Sequence, residues 1–348
     1  MADQHFPSRH PKLQAAITQR PFPGFPFVPD NRSARRAHLD SVKHMLPVPQ
    51  PVPEVLEDYH LVEVRDGFKV QTKCYRPASA VKSGEKKPMM ILFHEGGWVM
   101  GDITDEDSNA RNFARDLGLV CVNPEYRLAP EYSFPTGVLD CWDVLKWAVA
   151  NASQLGADPT LGLLVGGSSA GSNIAAVLAH VAIKEQLQPP ITGQWLCVPY
   201  LLPPELVPDE YVPDYTSGWT NCSDPVLGPL QDGPDDKTTG FIQTMLKADV
   251  HSPLFSPFSE AWYPPKQGTT THKDRKLPKA FFQVAGLDPL RDHALIYRRV
   301  LEEEWKVSTR LELYESYGHM FWTNWPEMER SQDYWRDMLD GVRWLLEG

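Results

Sequence analysis

One stretch of the chain decides the fold: residues 161–183 have the sequence LGLLVGGSSAGSNIAAVLAHVAI. Residues 161–165 form an apolar run that predicts a buried strand, and residues 173–183 have the apolar character of a buried helix. Between them, residues 167–171 match the pattern G-x-S-x-G, in which small residues permit a sharp strand-to-helix turn. Such a turn lifts the hydroxyl of Ser169 above the sheet and sets the positive N-terminal end of the helix beneath it. We therefore predict that Ser169, rather than its neighbour Ser168, is a nucleophile.

Strands and helices alternate along most of the chain. Two segments on either side of Asp66-Gly67 predict a hairpin, residues 59–64 and 68–75. Apolar runs predict further strands at residues 89–93, 119–122, 195–198 and 280–285, and another strand is predicted at residues 309–314. Helical spacing of apolar residues predicts helices at residues 109–116, 139–150, 293–304 and 332–346. This alternation is typical of an α/β fold with a mostly parallel central sheet flanked by helices.

The alternation is absent from the beginning of the chain and from one internal segment. We divide the chain into an N-terminal arm (residues 1–57), a first core segment (58–200), an insertion (201–276) and a second core segment (277–348). Prolines favour an extended arm with one short helix at residues 31–45, and aromatic residues that are costly to expose favour an arm folded over the body, namely Phe22, Phe25 and Phe27. The insertion carries one predicted helix near residues 238–248. Since long insertions in α/β domains usually cover a site, we predict that arm and insertion form a cap.

Composition argues against several classes of function. The formal net charge is −11, which disfavours binding to nucleic acid or to anionic membrane surfaces. No apolar run is long enough for a membrane span, and the first thirty residues show no signal peptide. The 5 cysteines are odd in number and include no C-x-x-C pair, so we expect free thiols, a reducing compartment and a cytoplasmic location. Nothing in the sequence indicates a metal site, a cofactor or an oligomeric state.

A serine nucleophile requires a base and an acid elsewhere in the chain. In strand-turn-helix nucleophile sites of this type, the order along the chain is Ser, then Asp or Glu, then His. Asp288 follows the predicted strand 280–285, and Asp292 is a rival for the same role. His319 follows the strand 309–314 and is the last histidine in the chain. We therefore predict His319 as the base and a carboxylate at position 288 or 292 as its partner.

A third element follows the predicted strand 89–93, where residues 94–98 have the sequence HEGGW. Glycines at this point let backbone N–H groups turn toward a substrate oxygen. We predict that Gly96 and Gly97, with the N–H of Ala170, form an oxyanion hole. Trp98 is a candidate substrate contact. His94 precedes the nucleophile in the chain and is predicted to be structural.

These blocks together resemble the hormone-sensitive-lipase-like carboxylesterases. Residues 94–101 resemble the H-G-G-G-x-x-x-G signature of that family, and the sequence YRLAPE at residues 126–131 is similar to its most diagnostic block. Residues 286–292 resemble the family's acid loop, which assigns the acid role to Asp288 over Asp292. The resemblance covers about residues 59–348. It implies an α/β-hydrolase core, a cap, ester hydrolysis and no cofactor.

Two residues depart from the family's pattern. Glu95 replaces the first glycine of the triple-glycine run, which is similar to fungal secondary-metabolism members of the family. Ser168 stands where the family usually has an acidic residue. A carboxylate close to an oxyanion would repel it, so we expect Glu95 either to point away from the hole or to be neutralised by a partner. Pointing away, it could bond to the region of Ser168, and we predict that it holds the loop.

Three kinds of function remain to be compared. The first is a serine carboxylesterase that hydrolyses a small to medium, hydrophobic ester through an acyl-enzyme. The second uses the same residues as a biosynthetic thioesterase, lactonising enzyme or acyltransferase, with a small-molecule ester or thioester as substrate. The third is a ligand-binding receptor of the same fold, as in plant gibberellin receptors, which resemble the enzymes but lack the base. Because His319 is present, the receptor is the least favoured of the three.

Overall fold

The computed structural model describes residues 8–22, 49–228, 230, 246–263 and 276–347. In these residues eight strands form one sheet: β1 (Val55–Glu63), β2 (Lys69–Pro77), β3 (Met89–Phe93), β4 (Val120–Pro124), β5 (Leu163–Ser168), β6 (Gly193–Cys197), β7 (Lys279–Ala285) and β8 (Thr309–Tyr314). The α-helices are α1 (Pro11–Gln19), α2 (Ala78–Ser83), α3 (Asp107–Leu117), α4 (Thr136–Ala150), α5 (Ala170–Lys184), α6 (Ser217–Thr220), α7 (Arg291–Glu303), α8 (Phe321–Asn324) and α9 (Glu329–Leu346).

The sheet is mostly parallel, in the order β1-β2-β4-β3-β5-β6-β7-β8. The pairs from β4-β3 to β7-β8 are parallel, whereas β1-β2 and β2-β4 are antiparallel. Every residue of β3, β5 and β6 is buried, because helices cover both faces of the sheet and leave no position for a polar, solvated side. The predicted α/β-hydrolase fold is therefore confirmed, and so is the hairpin, whose turn contains Gly67 at φ 81°.

The arm differs from its predicted extended path. Residues Pro11–Gln19 form helix α1, which begins with proline in the first turn and with His10 as its N-cap, whose Nδ1 accepts from Lys12 N. Proline fits this position because its missing N–H would have no helical partner there. The prediction of an extended path was thus wrong for these residues. It considered how many prolines the segment contains and not where in a helix they would lie.

Helix α1 packs against the C-terminal end of the chain. Leu13 is completely buried, His10 stacks on Tyr317 with ring centroids 5.2 Å apart, and Trp325 Nε1 donates to the carbonyl of Arg20 at 3.1 Å. Phe22 packs on the same apolar cluster. Phe25, Phe27 and the predicted helix 31–45 lie outside the described residues. The division into arm, core and cap stays a prediction.

The insertion lies over the loops that follow strands β5 to β8. Its described part contains helix α6 and two 3₁₀ turns, Pro204–Leu206 and Asp209–Tyr211. Asn173 Nδ2, in the first turn of α5, donates to the carbonyl of Phe255 at 2.7 Å. Tyr215 OH lies 3.0 Å from His293 Nε2 and joins the insertion to α7. Most of the predicted helix 238–248 lies outside the described residues.

Candidate active site

Ser169 occupies the turn between β5 and α5 in a strained backbone conformation. Its φ of 52° and ψ of −114° are rare for a residue with a side chain. The glycines on either side explain why the turn can form. A Cβ atom at Gly167 would lie 2.2 Å from the carbonyl oxygen of Phe93, and one at Gly171 would lie 1.8 Å from the same atom. The G-x-S-x-G frame is therefore required by the close packing of the turn on the end of β3.

Replacing the second of these glycines tests that packing. We expect Gly171→Ala to lower the free energy of unfolding by about 1–3 kcal/mol, as overpacking does, and to displace Ser169. Urea denaturation measures the first effect and ester turnover the second. Gly84→Ala is a control, because Gly84 has φ 75° but no atom within 4 Å of an added Cβ, so that only backbone strain is introduced. Equal losses of turnover in the two variants would contradict the packing argument.

The structure brings Ser169, His319 and Asp288 together in one hydrogen-bonded chain. His319 Nε2 lies 3.1 Å from Ser169 Oγ, and His319 Nδ1 lies 2.6 Å from Asp288 Oδ2. Asp288 follows β7 and His319 follows β8, so that both sit beyond the carboxyl ends of neighbouring parallel strands. Asp288 Oδ1 also accepts from the backbone N–H of Leu290 at 2.8 Å, which fixes the carboxylate.

Asp292, the rival carboxylate, serves another contact. Its Oδ2 accepts from the backbone N–H groups of Thr216 and Ser217, both at 2.7 Å. It thereby ties the start of α6 in the insertion to α7. The geometry favours Asp288 as the partner of His319.

The pKa of His319 reflects a competition between burial and charge. Burial alone would lower the pKa, because the site disfavours an imidazolium ion. The carboxylates of Asp288 and Asp224 oppose this, and the net pKa is raised above that of an ordinary histidine. Only the neutral imidazole can accept the proton of Ser169, so we expect activity to fall as pH decreases through this raised pKa.

Two residues of the insertion contact His319 and Asp288, and the sequence did not predict either of them. Asp224 Oδ2 accepts from the backbone N–H of His319 at 2.6 Å. Asn221 Nδ2 donates to the backbone carbonyl of Asp288 at 2.7 Å. Neither lies in a motif or a periodic segment, and no signal in the sequence marks them.

The loop after β3 has the backbone conformation expected of an oxyanion loop. Gly96, Gly97 and Trp98 have φ values of 115°, 59° and 62°. Within the described part of the chain, the N–H groups of Gly96 and Gly97 donate to no backbone carbonyl. Ala170 begins α5, where a helical N–H has no partner within the helix. Three N–H groups are thus available on the loops beside Ser169, and their role as an oxyanion hole stays a prediction.

Two aromatic contacts define the surroundings of this loop. The His94 ring stacks on Tyr126 at 4.1 Å between centroids, and Tyr126 OH donates to the His94 carbonyl at 3.0 Å, which agrees with a structural role. The buried ring of Trp98 lies 5.8 Å from Tyr200 and 5.4 Å from Phe255. A cluster of aromatic side chains therefore begins at Trp98, one residue after Gly97.

Glu106 is a buried acidic residue close to Ser168. Burial raises the pKa of Glu106 to about 8, and the charge of Asp105 adds to this, while the hydrogen bond from Asn109 opposes the shift. Asn109 Nδ2 donates to its carboxyl group at 2.5 Å. Glu95 is half-buried, and its charge adds to the effect of burial in raising the pKa of Tyr126. The orientation of Glu95 away from the hole stays a prediction.

The role of Glu95 can be tested by comparing two substitutions. We expect Glu95→Gln to lower kcat/KM by no more than about tenfold, because the amide keeps the length and most hydrogen bonding. Glu95→Ala should be the more damaging change, because the loop loses its anchor. If Glu95→Gln were as inactive as Ser169→Ala, Glu95 would take part in proton transfer, and a reaction beyond simple ester hydrolysis would become the better interpretation.

Two features of the described residues bear on other kinds of site. No helix in the described ranges is both long and apolar enough to cross a bilayer. Among the residues whose positions are described, His, Cys, Asp and Glu side chains form no group of three that could hold a metal ion.

Comparison with known proteins identifies the family. The model of a family described as having the alpha/beta hydrolase fold matches residues 90–323. An AB hydrolase superfamily protein of Schizosaccharomyces pombe is 32% identical over 345 residues, which are 99% of this chain and 96% of that protein. Versiconal hemiacetal acetate esterase of Dothistroma septosporum is 30% identical over 267 residues, which are 76% of this chain and 75% of that esterase. The crystal structure of vibralactone cyclase matches with a TM-score of 0.81 and 29% identity over 99% of this chain and 97% of that one. The chain therefore belongs to the hormone-sensitive-lipase-like carboxylesterases of the α/β-hydrolase family, and it is an esterase-type hydrolase.

Proposed function

We propose that the protein is a serine carboxylesterase that cleaves a small to medium, hydrophobic ester through an acyl-enzyme. One observation carries the proposal: His319 lies within hydrogen-bonding distance of both Ser169 Oγ, at 3.1 Å, and Asp288 Oδ2, at 2.6 Å. This is the arrangement that makes a serine hydroxyl nucleophilic, with a base to take its proton and an acid to orient the base.

The reaction follows from the position of each group. His319 Nε2 takes the proton as Ser169 Oγ attacks the ester carbonyl, and Asp288 stabilises the resulting imidazolium. The N–H groups of Gly96, Gly97 and Ala170 stabilise the oxyanion. The imidazolium then gives its proton to the departing alcohol, which leaves an acyl group on Ser169. Water attacks this acyl-enzyme with His319 again as base, and the acid is released.

The side chains beside the loop support an apolar substrate. Trp98, Tyr200 and Phe255 form an aromatic cluster directly after the predicted oxyanion donors. Phe134 extends it, with its ring 5.7 Å from Phe255. Apolar surface of this kind favours hydrocarbon groups over charged ones. We therefore include Trp98 among the substrate contacts.

A second candidate is favoured by the similarity to vibralactone cyclase, which extends over 99% of this chain. In this alternative the acyl group on Ser169 passes to a hydroxyl group of the same substrate, so that a lactone forms instead of a free acid. Cleavage of a thioester substrate, or transfer of the acyl group to another alcohol, would proceed through the same acyl-enzyme. The residues of the site are common to all these reactions.

Product analysis separates the candidates. The enzyme would be given p-nitrophenyl acetate, butyrate and decanoate. It would then be given an ester whose acyl part carries a hydroxyl group at a distance suited to closure of a lactone ring. The proposed esterase releases the free acid from all of them, with a stoichiometric burst of nitrophenol if deacylation is slow. Lactone as the main product would favour the cyclising alternative. Absence of turnover and of any covalent acyl-enzyme would contradict both.

A further inference from the structure

A second carboxylate, Asp224, lies beside the hydrogen-bonded chain of Ser169, His319 and Asp288, and it belongs to the insertion. Its Oδ2 accepts from the backbone N–H of His319 at 2.6 Å. Its Oδ1 accepts from the backbone N–H groups of Val226 and Leu227, at 2.8 and 2.7 Å. Because Asp224 is only 4% exposed, it depends on these donors in place of water. One of its three donors is the backbone of the predicted base itself.

The residue before His319 leaves the space that this contact needs. A Cβ atom at Gly318 would lie 2.6 Å from Asp224 Oδ2 and 2.5 Å from Pro225 Cδ. Both distances are well inside van der Waals contact, so a side chain at position 318 would push the carboxylate away. Glycine at this position is thus explained by the approach of the insertion.

The same segment of the insertion also holds the acid loop. Asn221 Nδ2 donates to the carbonyl of Asp288 at 2.7 Å and to that of Gly286 at 3.1 Å. Asn221 and Asp224 are three residues apart and therefore fix both the loop that carries the acid and the loop that carries the base. These contacts are independent of the direct bond between His319 and Asp288.

Three charged groups lie close to Asp224 among the described residues. Asp288 and Asp224 raise the pKa of His319, and Asp288 and His319 act on the pKa of Asp224. The third group is Arg9, whose Nε donates to the carbonyl of the adjacent Ser223 at 2.7 Å. Burial, and after it the charge of Asp288, raises the pKa of Asp224 to about 6, while His319 and the backbone donors oppose the shift. Above this pKa a second negative charge stands next to the imidazole.

We propose that Asp224 is a positioning residue of this site, whose carboxylate fixes the backbone of His319 and places a second negative charge beside the imidazole. The insertion thereby takes part in setting the protonation of the base. This inference rests on the proposed function, in which His319 accepts the proton of Ser169. It predicts that loss of the Asp224 charge makes the imidazolium less stable.

The test is a direct titration of His319 in the full-length protein by NMR. The chain has 11 histidines, so the His319 signals are assigned by their loss in His319→Gln. In Asp224→Asn, which keeps the shape and removes the charge, we expect the pKa of His319 to fall by about one unit. In the kinetics, the acid limb of kcat/KM should move to lower pH by the same amount, with kcat reduced more than KM is changed.

A matched control is available at Asp292. Like Asp224, Asp292 is a 4% exposed carboxylate that takes two backbone N–H groups of the insertion, those of Thr216 and Ser217. The carboxylates that raise the pKa of His319 are those of Asp288 and Asp224. Asp292→Asn should therefore lower thermal stability without moving the His319 titration or the acid limb.

Gly318→Ala provides a second variant in case Asp224→Asn does not fold. The added methyl group displaces the carboxylate while its charge is kept, and the pKa of His319 should again fall. An unchanged His319 pKa in whichever of these two variants folds would overturn the role of Asp224, even in an active esterase. Conversely, the NMR titration needs no turnover. If the pKa falls as expected but the wild-type protein neither cleaves esters nor reacts at Ser169, the proposed function fails, and only the effect of the Asp224 charge on His319 is retained.

Discussion

Ser169→Ala is expected to lower the kcat for short p-nitrophenyl esters by about 10⁶-fold, to the residual rate that binding and the oxyanion donors supply. The physical reason is that alanine removes the attacking atom, Ser169 Oγ, which lies 3.1 Å from His319 Nε2. The variant should keep its fold, since Ser169 makes its structural contacts through the backbone, including the bond from its N–H to the carbonyl of Cys197 at 2.8 Å. Initial rates and circular dichroism measure the two expectations.

Ser168→Ala is the matched control for that experiment. Ser168 is the neighbouring serine and is completely buried, whereas the hydroxyl within hydrogen-bonding distance of His319 is that of Ser169. We expect its loss to alter packing but to leave the enzyme active. If Ser168→Ala were the inactive variant and Ser169→Ala retained turnover, the choice of nucleophile would be wrong.

His319→Ala and Asp288→Asn are expected to have the next largest effects, and not to add to that of Ser169→Ala. Removing the base leaves the hydroxyl without a proton acceptor. Replacing Asp288 by asparagine keeps the shape but stabilises the wrong tautomer of His319, which should lower kcat by about 10⁴-fold. Because the three groups act as one unit, each double variant should resemble Ser169→Ala alone.

Asp292→Asn shows whether this effect belongs to Asp288 alone. Asp292 lies four residues away, is also buried, and bonds to the backbone of Thr216 and Ser217 rather than to His319. We expect its replacement to reduce kcat far less than Asp288→Asn does. Comparable losses in kcat would contradict the assignment of Asp288 as the acid.

The parts of the site that could be predicted are those that short-range patterns determine. The frame around Ser169 is recognisable because the turn packs so closely on the Phe93 carbonyl that only glycine fits at Gly167 and Gly171. Asp288 and His319 could be located because each lies in the loop that follows a predicted strand. Parallel strands bring their carboxyl ends to one edge of the sheet, so position along the chain gives position in space.

The parts that could not be predicted depend on long-range contacts within irregular segments. Asp224 and His319 are 95 residues apart, and the segment around Asp224 has neither strand nor helix periodicity. Glu106 was missed for a different reason. An acidic residue just before a helix is usually a solvated one that favours the helix dipole, whereas this one is buried beside Ser168. Nothing in the local sequence distinguishes the two cases.

The central claim is that Ser169 is the nucleophile of a serine hydrolase, and covalent labelling tests it most directly. The full-length protein would be treated with a fluorophosphonate, digested and analysed by mass spectrometry to locate the modified residue. The account predicts a single adduct on Ser169, which forms slowly or not at all in His319→Ala and is absent in Ser169→Ala. An adduct on another residue, or a folded wild-type protein that takes up no label, would contradict it.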